Sequence, residues 1–286
     1  MNLYAYDLQT WYTSIRSQKG LNYSLASTII LCVELQVKGR VGWIVELSGI
    51  DWPRNITFML FLAGCNFRCP YCQNAGIISI DSGYEVSVGD IMAKVERNLK
   101  LIDAVGVSGG EPTLQPRFVE ALFEAVKGYN LKTFINTNGS NPELLDNLFE
   151  RKLLDHVALD VKAPLKPDLY GLVIGGVIPG STAVQNLKRS MDICSFYDRR
   201  FEARTTIVPG LTDKPEYIEM IAYDLKQYDC LYVLQQFTPY GDILDPRYRL
   251  LEPTSEDVLR SLAKIASDAG LREVYIRYRG GMVKVR

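Results

Sequence analysis

The chain has 286 residues, 47% of them hydrophobic and 23% charged, with a net charge of −1. That length suits one large α/β domain or two small ones with a substantial core, and near-neutrality gives no general attraction to nucleic acid or an anionic membrane surface. Six cysteines in so long a chain exclude a disulfide scaffold, no apolar run reaches the ~20 residues of a membrane-spanning helix, and the N-terminus lacks the basic start of a signal peptide, so a cytoplasmic protein is the simplest reading.

Residues 1–40 are rich in Tyr and Ser, lack clean periodicity, and read as an N-terminal extension with no assignable chemistry, leaving 41–286 as the domain proper. From Ile56 the pattern becomes regular. "ITFMLFLAG" is a continuous apolar run ending in glycine, the signature of a buried strand. A helix follows at "VSVGDIMAKVERNLK" and a strand at "LIDAVGVSGGEP". "PRFVEALFEAVKG" places Phe118, Leu122, Ala125 and Val126 on one helical face, with Pro116 at its start. "LKTFINTNG" is a strand, and "NPELLDNLFE" a helix with Asn141 as N-cap and Pro142 at its first position.

The alternation continues. "LLDHVALDVKAP" (strand) leads through a loop to "TAVQNLKRSMDIC" (helix), "RFEARTTIVPG" (strand) to "KPEYIEMIAYDLKQY" (helix), and "LYVLQQFTP" (strand) to "TSEDVLRSLAKIASDAG" (helix), where Thr254 and Asp257 fit a capping box. "EVYIRYR" reads as a last strand, more simply than as a partner surface. Six strand–helix units in alternation imply a parallel sheet with helical crossovers, too few for a closed eight-fold barrel but suited to an open partial one. In such architectures chemistry sits at the C-terminal strand ends, where the cysteine loop, "SGGEP", "NTNG", "DVK", "RTTIVPG" and "QQFTP" all fall.

"GCNFRCPYCQN" holds three of the six cysteines, Cys65, Cys69 and Cys72, spaced C-x3-C-x2-C. Three thiols do not close a four-ligand structural zinc site, and the single histidine, His156, is far away in the sequence and reads as structural. Thiolates also suit iron–sulfur clusters, and three of them around a cubane leave one iron without a protein ligand, an arrangement for catalysis rather than electron carriage. Cys32, Cys194 and Cys230 are widely separated and read as buried thiols.

The cysteine spacing, with Tyr71 before the third cysteine, resembles the signature of the radical S-adenosylmethionine (SAM) superfamily, and "GGEP" at Gly109–Pro112 resembles that family's second motif. From about Val41 onward, "ELSGIDWPRNITFMLFLAGCNFRCPYCQN", "NTNGSNPELL", "DHVALDVKAPL" and "YVLQQFTP" resemble the activating enzymes of glycyl-radical proteins, most of all the anaerobic ribonucleoside-triphosphate reductase activating proteins. The resemblance implies a partial (β/α)6 TIM-like barrel of the radical SAM type, with 41–286 as the catalytic domain. It implies that Cys65, Cys69 and Cys72 bind a [4Fe–4S] cluster whose open iron is chelated by SAM. Tyr71 backbone would contact the adenine, Gly109, Gly110 and Glu111 the amino group, and Asp160 and Lys162 the region of the carboxylate. Arg204 is a further candidate contact, although it and Gln235 could equally cap loops. Asn136 stands where such enzymes often carry an Asp that helps hold a monovalent cation; an amide brings no charge to that site. The implied reaction is reductive cleavage of SAM to a 5′-deoxyadenosyl radical that takes a hydrogen atom from a glycine of a partner protein, with flavodoxin or ferredoxin as electron donor. The same chemistry on a small molecule or another peptide, and a non-catalytic iron–sulfur or zinc protein, are the alternatives.

Overall fold

The computed structural model describes residues 34–197 and 201–285; Cys32 and most of the expected N-terminal extension lie outside them. In chain order the elements are β1 (Lys38–Ser48), β2 (Thr57–Leu62), β3 (Tyr84–Ser87), α1 (Val88–Asn98), β4 (Ala104–Gly109), α2 (Pro116–Lys127), β5 (Lys132–Thr137), α3 (Pro142–Glu150) and β6 (His156–Asp160). There follow α4 (Pro167–Val173), α5 (Gly180–Phe196), β7 (Phe201–Ile207), α6 (Pro215–Leu225), β8 (Cys230–Gln236), α7 (Glu256–Asp268), β9 (Val274–Tyr278) and β10 (Gly281–Lys284).

Among the described residues the strands form one sheet in the order β10-β9-β8-β7-β6-β5-β4-β2-β1-β3. The run from β2 to β9 is parallel throughout, and β1, β3 and β10 pair antiparallel at its edges. Six strand–helix units therefore alternate as the sequence pattern predicts, followed by β9 as an additional parallel strand. β1 and β3 are not evident in that pattern, and β1 takes in Lys38, Gly39 and Arg40 from the expected extension. The linear strand order leaves the barrel open between β3 and β10.

Both faces of the parallel strands are covered, which is why they read as unbroken apolar runs. Toward the helices, Phe58, Leu60, Val105, Val107, Ile135 and Leu159 join Phe118, Leu122, Leu145, Leu187 and Ile218 in the main core. On the inner face Met59, Phe134 and Ala158 form a small separate cluster closed by Trp52 and Phe61. Truncating a fully buried ring such as Phe123 to alanine would cost about 3–5 kcal/mol.

Local signals start the helices. Ser87 and Asp90 make a reciprocal capping box at α1, and proline occupies the first turn of α2, α3, α4 and α6. At α7 the cap differs from the expected Thr254: Ser255 Oγ accepts from the Val258 amide at 3.3 Å. Thr254 is buried instead, and its hydroxyl donates to the Ile207 carbonyl at 2.6 Å, tying the helix start to the end of β7.

Candidate active site

The loop after β2 carries the three cysteines and is held from several sides. Cys65 N–H donates to Ile78 O at 2.9 Å, Arg68 N–H to Ile174 O at 2.8 Å, and the Arg68 guanidinium to the Cys65 and Phe67 carbonyls at 2.8 Å each. The segment after β8 straps its far side: Ala75 N–H donates to Asp242 O at 2.9 Å, Leu244 N–H to Cys72 O at 3.0 Å and Asp245 N–H to Pro70 O at 2.9 Å. Gln73 Nε2 donates to the Thr238 carbonyl.

The Gly109–Gly110–Glu111 turn presses on the same loop from below. Gly109 has φ of +119°, and a Cβ there would lie 2.3 Å from the Leu62 nitrogen. A Cβ on Gly110 would lie 2.0 Å from Gly64 O. This close approach lets Gly110 N–H reach Leu62 O at 2.9 Å and Glu111 N–H reach Gly64 O at 2.6 Å. Glycine is required because any side chain would collide with backbone that cannot yield cheaply.

Glu111 is completely buried. Its Oε1 accepts from Thr113 N at 3.0 Å, Thr113 Oγ1 at 2.6 Å and Thr137 Oγ1 at 2.6 Å, and its Oε2 from Asn138 N at 2.7 Å. Burial lifts this carboxyl above its ordinary value even though the donors favour the charged form. The side chain thus ties the ends of β4 and β5 together, a structural part beyond the ligand contact that the resemblance implies.

All eleven expected site residues line one cavity of about 420 Å³ at the C-terminal strand ends: Cys65, Cys69, Tyr71, Cys72, Gly109, Gly110, Glu111, Asn136, Asp160, Lys162 and Arg204. Desolvation pushes the Cys65 thiol up to about 12 and Cys69 to about 11, and raises Cys72 as well. Such thiols ionise only when a cationic centre compensates them. Among the described residues no three His, Cys, Asp or Glu side chains converge on one metal-ion position.

Further round the wall, Lys162 Nζ lies 2.7 Å from Asp160 Oδ2. Burial works against the ammonium, yet Asp160, with Tyr71 and Cys69 beside it, holds the Lys162 pKa well above its usual value. Asn136 Nδ2 donates to Ser108 Oγ at 3.1 Å, and its buried Oδ1 has no partner among the described residues. The Tyr71 hydroxyl is likewise buried, with no partner among the described residues. Arg204 Nε donates to Glu202 Oε1 at 2.6 Å and its Nη2 to Asp51 O at 2.9 Å. Burial opposes the Glu202 charge, yet Arg204, His156 and Arg277 together hold that carboxyl below its ordinary value.

A profile of the radical SAM superfamily matches residues 59–223, more than half of the chain. The chain belongs to the radical SAM superfamily. A Methanocaldococcus jannaschii protein named as a glycyl-radical enzyme activating enzyme is 36% identical over 80% of this chain and 92% of its own length. The pyruvate formate-lyase-activating enzyme of Streptococcus mutans is 31% identical over 63% of this chain and 70% of its own. The crystal structure of a radical SAM methyltransferase from Sphaerobacter thermophilus covers 90% of this chain and 82% of its own with a TM-score of 0.62; at 15% identity that likeness concerns the fold alone. The protein is thus a radical SAM enzyme of the glycyl-radical activase type, and SAM and an iron–sulfur cluster are its family's cofactors.

The residues present fit those cofactors. Three desolvated thiols share one cavity, the crowded glycine turn brings backbone up to it, and the unpaired Asn136 Oδ1 and charged Lys162 offer an acceptor and a cation for a polar ligand. Sequence reasoning misses Asp51, Glu202 and Arg277. The inward alternation of Glu202 and Arg204 along β7 is the signal that could have revealed the first member of that ion cluster.

Proposed function

We propose that the enzyme generates a glycyl radical on a partner protein, for which an anaerobic ribonucleotide reductase is the target implied by the sequence resemblance. In this reading Cys65, Cys69 and Cys72 hold a [4Fe–4S] cluster whose fourth iron is left to SAM, and a flavodoxin- or ferredoxin-type protein supplies the electron. The cluster and SAM, when bound, supply a 5′-deoxyadenosyl radical that takes a hydrogen atom from a glycine Cα. The chain's own residues bind and orient. Lys162, kept charged by Asp160, faces the SAM carboxylate, Gly109 and Gly110 offer backbone to the amino group, and Tyr71, Asn136 and Arg204 complete the wall. No protein base is needed for hydrogen-atom transfer, so the walls serve chiefly to exclude water.

The observation that carries this reading is the convergence of three thiols and eight further motif residues, from five neighbouring strands and the loops that follow them, on one cavity. A protein partner is supported by the apolar surface that leads to it. Trp43, Val45 and Leu47 on β1 are exposed, Trp43 stacks on the cavity residue Phe61 at 4.8 Å, and Ile50, 78% exposed, is itself part of the wall. Anaerobic reconstitution followed by assay for 5′-deoxyadenosine, and electron paramagnetic resonance for a glycyl radical on the co-incubated reductase, tests the proposal. Iron loading without SAM cleavage under strong reductant would sink the enzyme reading, and cleavage without a glycyl radical would move the target to another substrate.

A further inference from the structure

The polar groups of the cavity divide into two sets. Between β2 and the middle of β7 most are engaged within the protein, the Asn136 Oδ1 and the Tyr71 hydroxyl excepted: Glu111 accepts four hydrogen bonds, Asp160 pairs with Lys162, Asn136 is oriented by Ser108, and Arg204 is held by Glu202 and Asp51. At the end of β7 and on β8 and β9 three side chains are free or only partly engaged, while their neighbours Gln236 and Thr238 bond within the protein, Gln236 Nε2 donating to the Thr254 carbonyl at 2.6 Å and Thr238 Oγ1 accepting from Gln73 Nε2 at 3.3 Å. Thr206, Gln235 and Arg277 stand side by side in register, Thr206 opposite Gln235 and Gln235 opposite Arg277, and all three line the cavity. The Thr206 hydroxyl and the Gln235 amide have no hydrogen-bond partner among the described residues. Among the described residues Arg277 engages only Nη2, to Glu202 Oε1 at 2.8 Å and Met282 Sδ at 3.5 Å, and Nε and Nη1 have no partner there.

Unpaired polar groups in a row on a cavity wall predict a ligand with complementary polar atoms. The row combines donors only (guanidinium), donor and acceptor together (amide), and a hydroxyl that serves as either. A carboxylate would use the donors and leave the acceptors of Gln235 and Thr206 idle. A peptide main chain, alternating carbonyl and N–H, uses all of them. At the usual strand spacing the three groups span about 10 Å, the length of roughly three extended residues. Glu202 Oε1 is shared between two guanidiniums, at 2.6 and 2.8 Å, so Arg277 is incompletely compensated and suits carbonyl dipoles.

We propose that Thr206, Gln235 and Arg277 form a ledge that holds the main chain of the polypeptide whose hydrogen atom is taken, and that Gln235 and Arg277 select a peptide over a small charged molecule. This rests on the activase reading above. The probe is acetyl-Ala-Gly-Ala-Gly-Ala-amide, titrated into the anaerobically reconstituted, SAM-loaded protein and followed by saturation-transfer NMR. Wild type binds the peptide, and Gln235→Leu and Arg277→Gln each weaken it by about tenfold, the loss expected of one or two hydrogen bonds. Gln235→Leu disturbs no ion pair, so it keeps the test sound if Arg277→Gln fails to fold. Absence of peptide binding to wild type, equal binding by the variants, displacement of the peptide by sodium acetate, or a loss confined to SAM affinity would each overturn the ledge. The 5′-deoxyadenosine assay on the same preparation scores the activase reading separately. SAM cleavage without peptide binding removes the ledge alone, and peptide binding without cleavage removes the enzyme reading and, with it, the ledge's role in presenting a hydrogen donor.

Discussion

Replacing Glu111 by glutamine tests whether this motif residue is part of the frame. The carboxylate accepts from Thr113 N, Thr113 Oγ1 and Thr137 Oγ1 on one oxygen and from Asn138 N on the other, in a completely buried position. A glutamine amide must put its NH2 on one side or the other. On the Oε2 side it meets the Asn138 amide, donor against donor. On the Oε1 side the two hydroxyls can rotate to accept, but the Thr113 N–H cannot, so either rotamer strands one backbone N–H. Losing a hydrogen bond to a charged group costs about 1.5–3 kcal/mol and stranding a buried donor about 1–3 kcal/mol more. The expected loss is therefore about 2.5–6 kcal/mol, read as a lower urea midpoint at unchanged slope. A loss below about 1 kcal/mol would refute the reasoning, because it would mean the donors find other partners.

Other consequences follow from the same packing. Gly110→Ala places a Cβ 2.0 Å from Gly64 O, so the turn must back away from the cysteine loop; iron retained per chain after reconstitution should drop, and full retention would contradict the clamp. Glu202→Gln leaves Arg204 and Arg277 facing each other across a neutral amide and should cost about 3–5 kcal/mol near neutral pH. Because the folded Glu202 carboxyl titrates below its ordinary 4.5, its contribution is present above that pH and is lost as pH falls further, so wild type and Glu202→Gln should converge on acidification below it. A gap that stays constant with pH would show that Glu202 is not ionised in the fold.

Much of this architecture is legible in the sequence, for physical reasons. Parallel strands covered on both faces give runs such as "TFMLFL", and prolines at first turns mark the helix starts. The edge elements are harder to read. β1 is half exposed along most of its length and is broken by Gly39 and Gly42, and α4 has only seven residues, so neither carries a clear period. The cysteine loop, the glycine turn and the Asp160–Lys162 pair are local motifs and are visible one by one. The Glu202–Arg204–Arg277 cluster is not, because Arg277 comes 75 residues after its carboxylate and reads as an ordinary residue of a last strand. Likewise, no local pattern distinguishes Thr254, tied to β7, from the true cap Ser255; tertiary burial decides between them.

The central claim is that the three thiols leave an iron open for SAM. It is tested most directly by electron paramagnetic resonance of the anaerobically reconstituted, reduced protein with and without SAM. The account predicts a [4Fe–4S] signal that is absent from Cys69→Ser and whose g-values shift in wild type when SAM is added. A wild-type spectrum indifferent to SAM, with the cluster fully loaded, would contradict it.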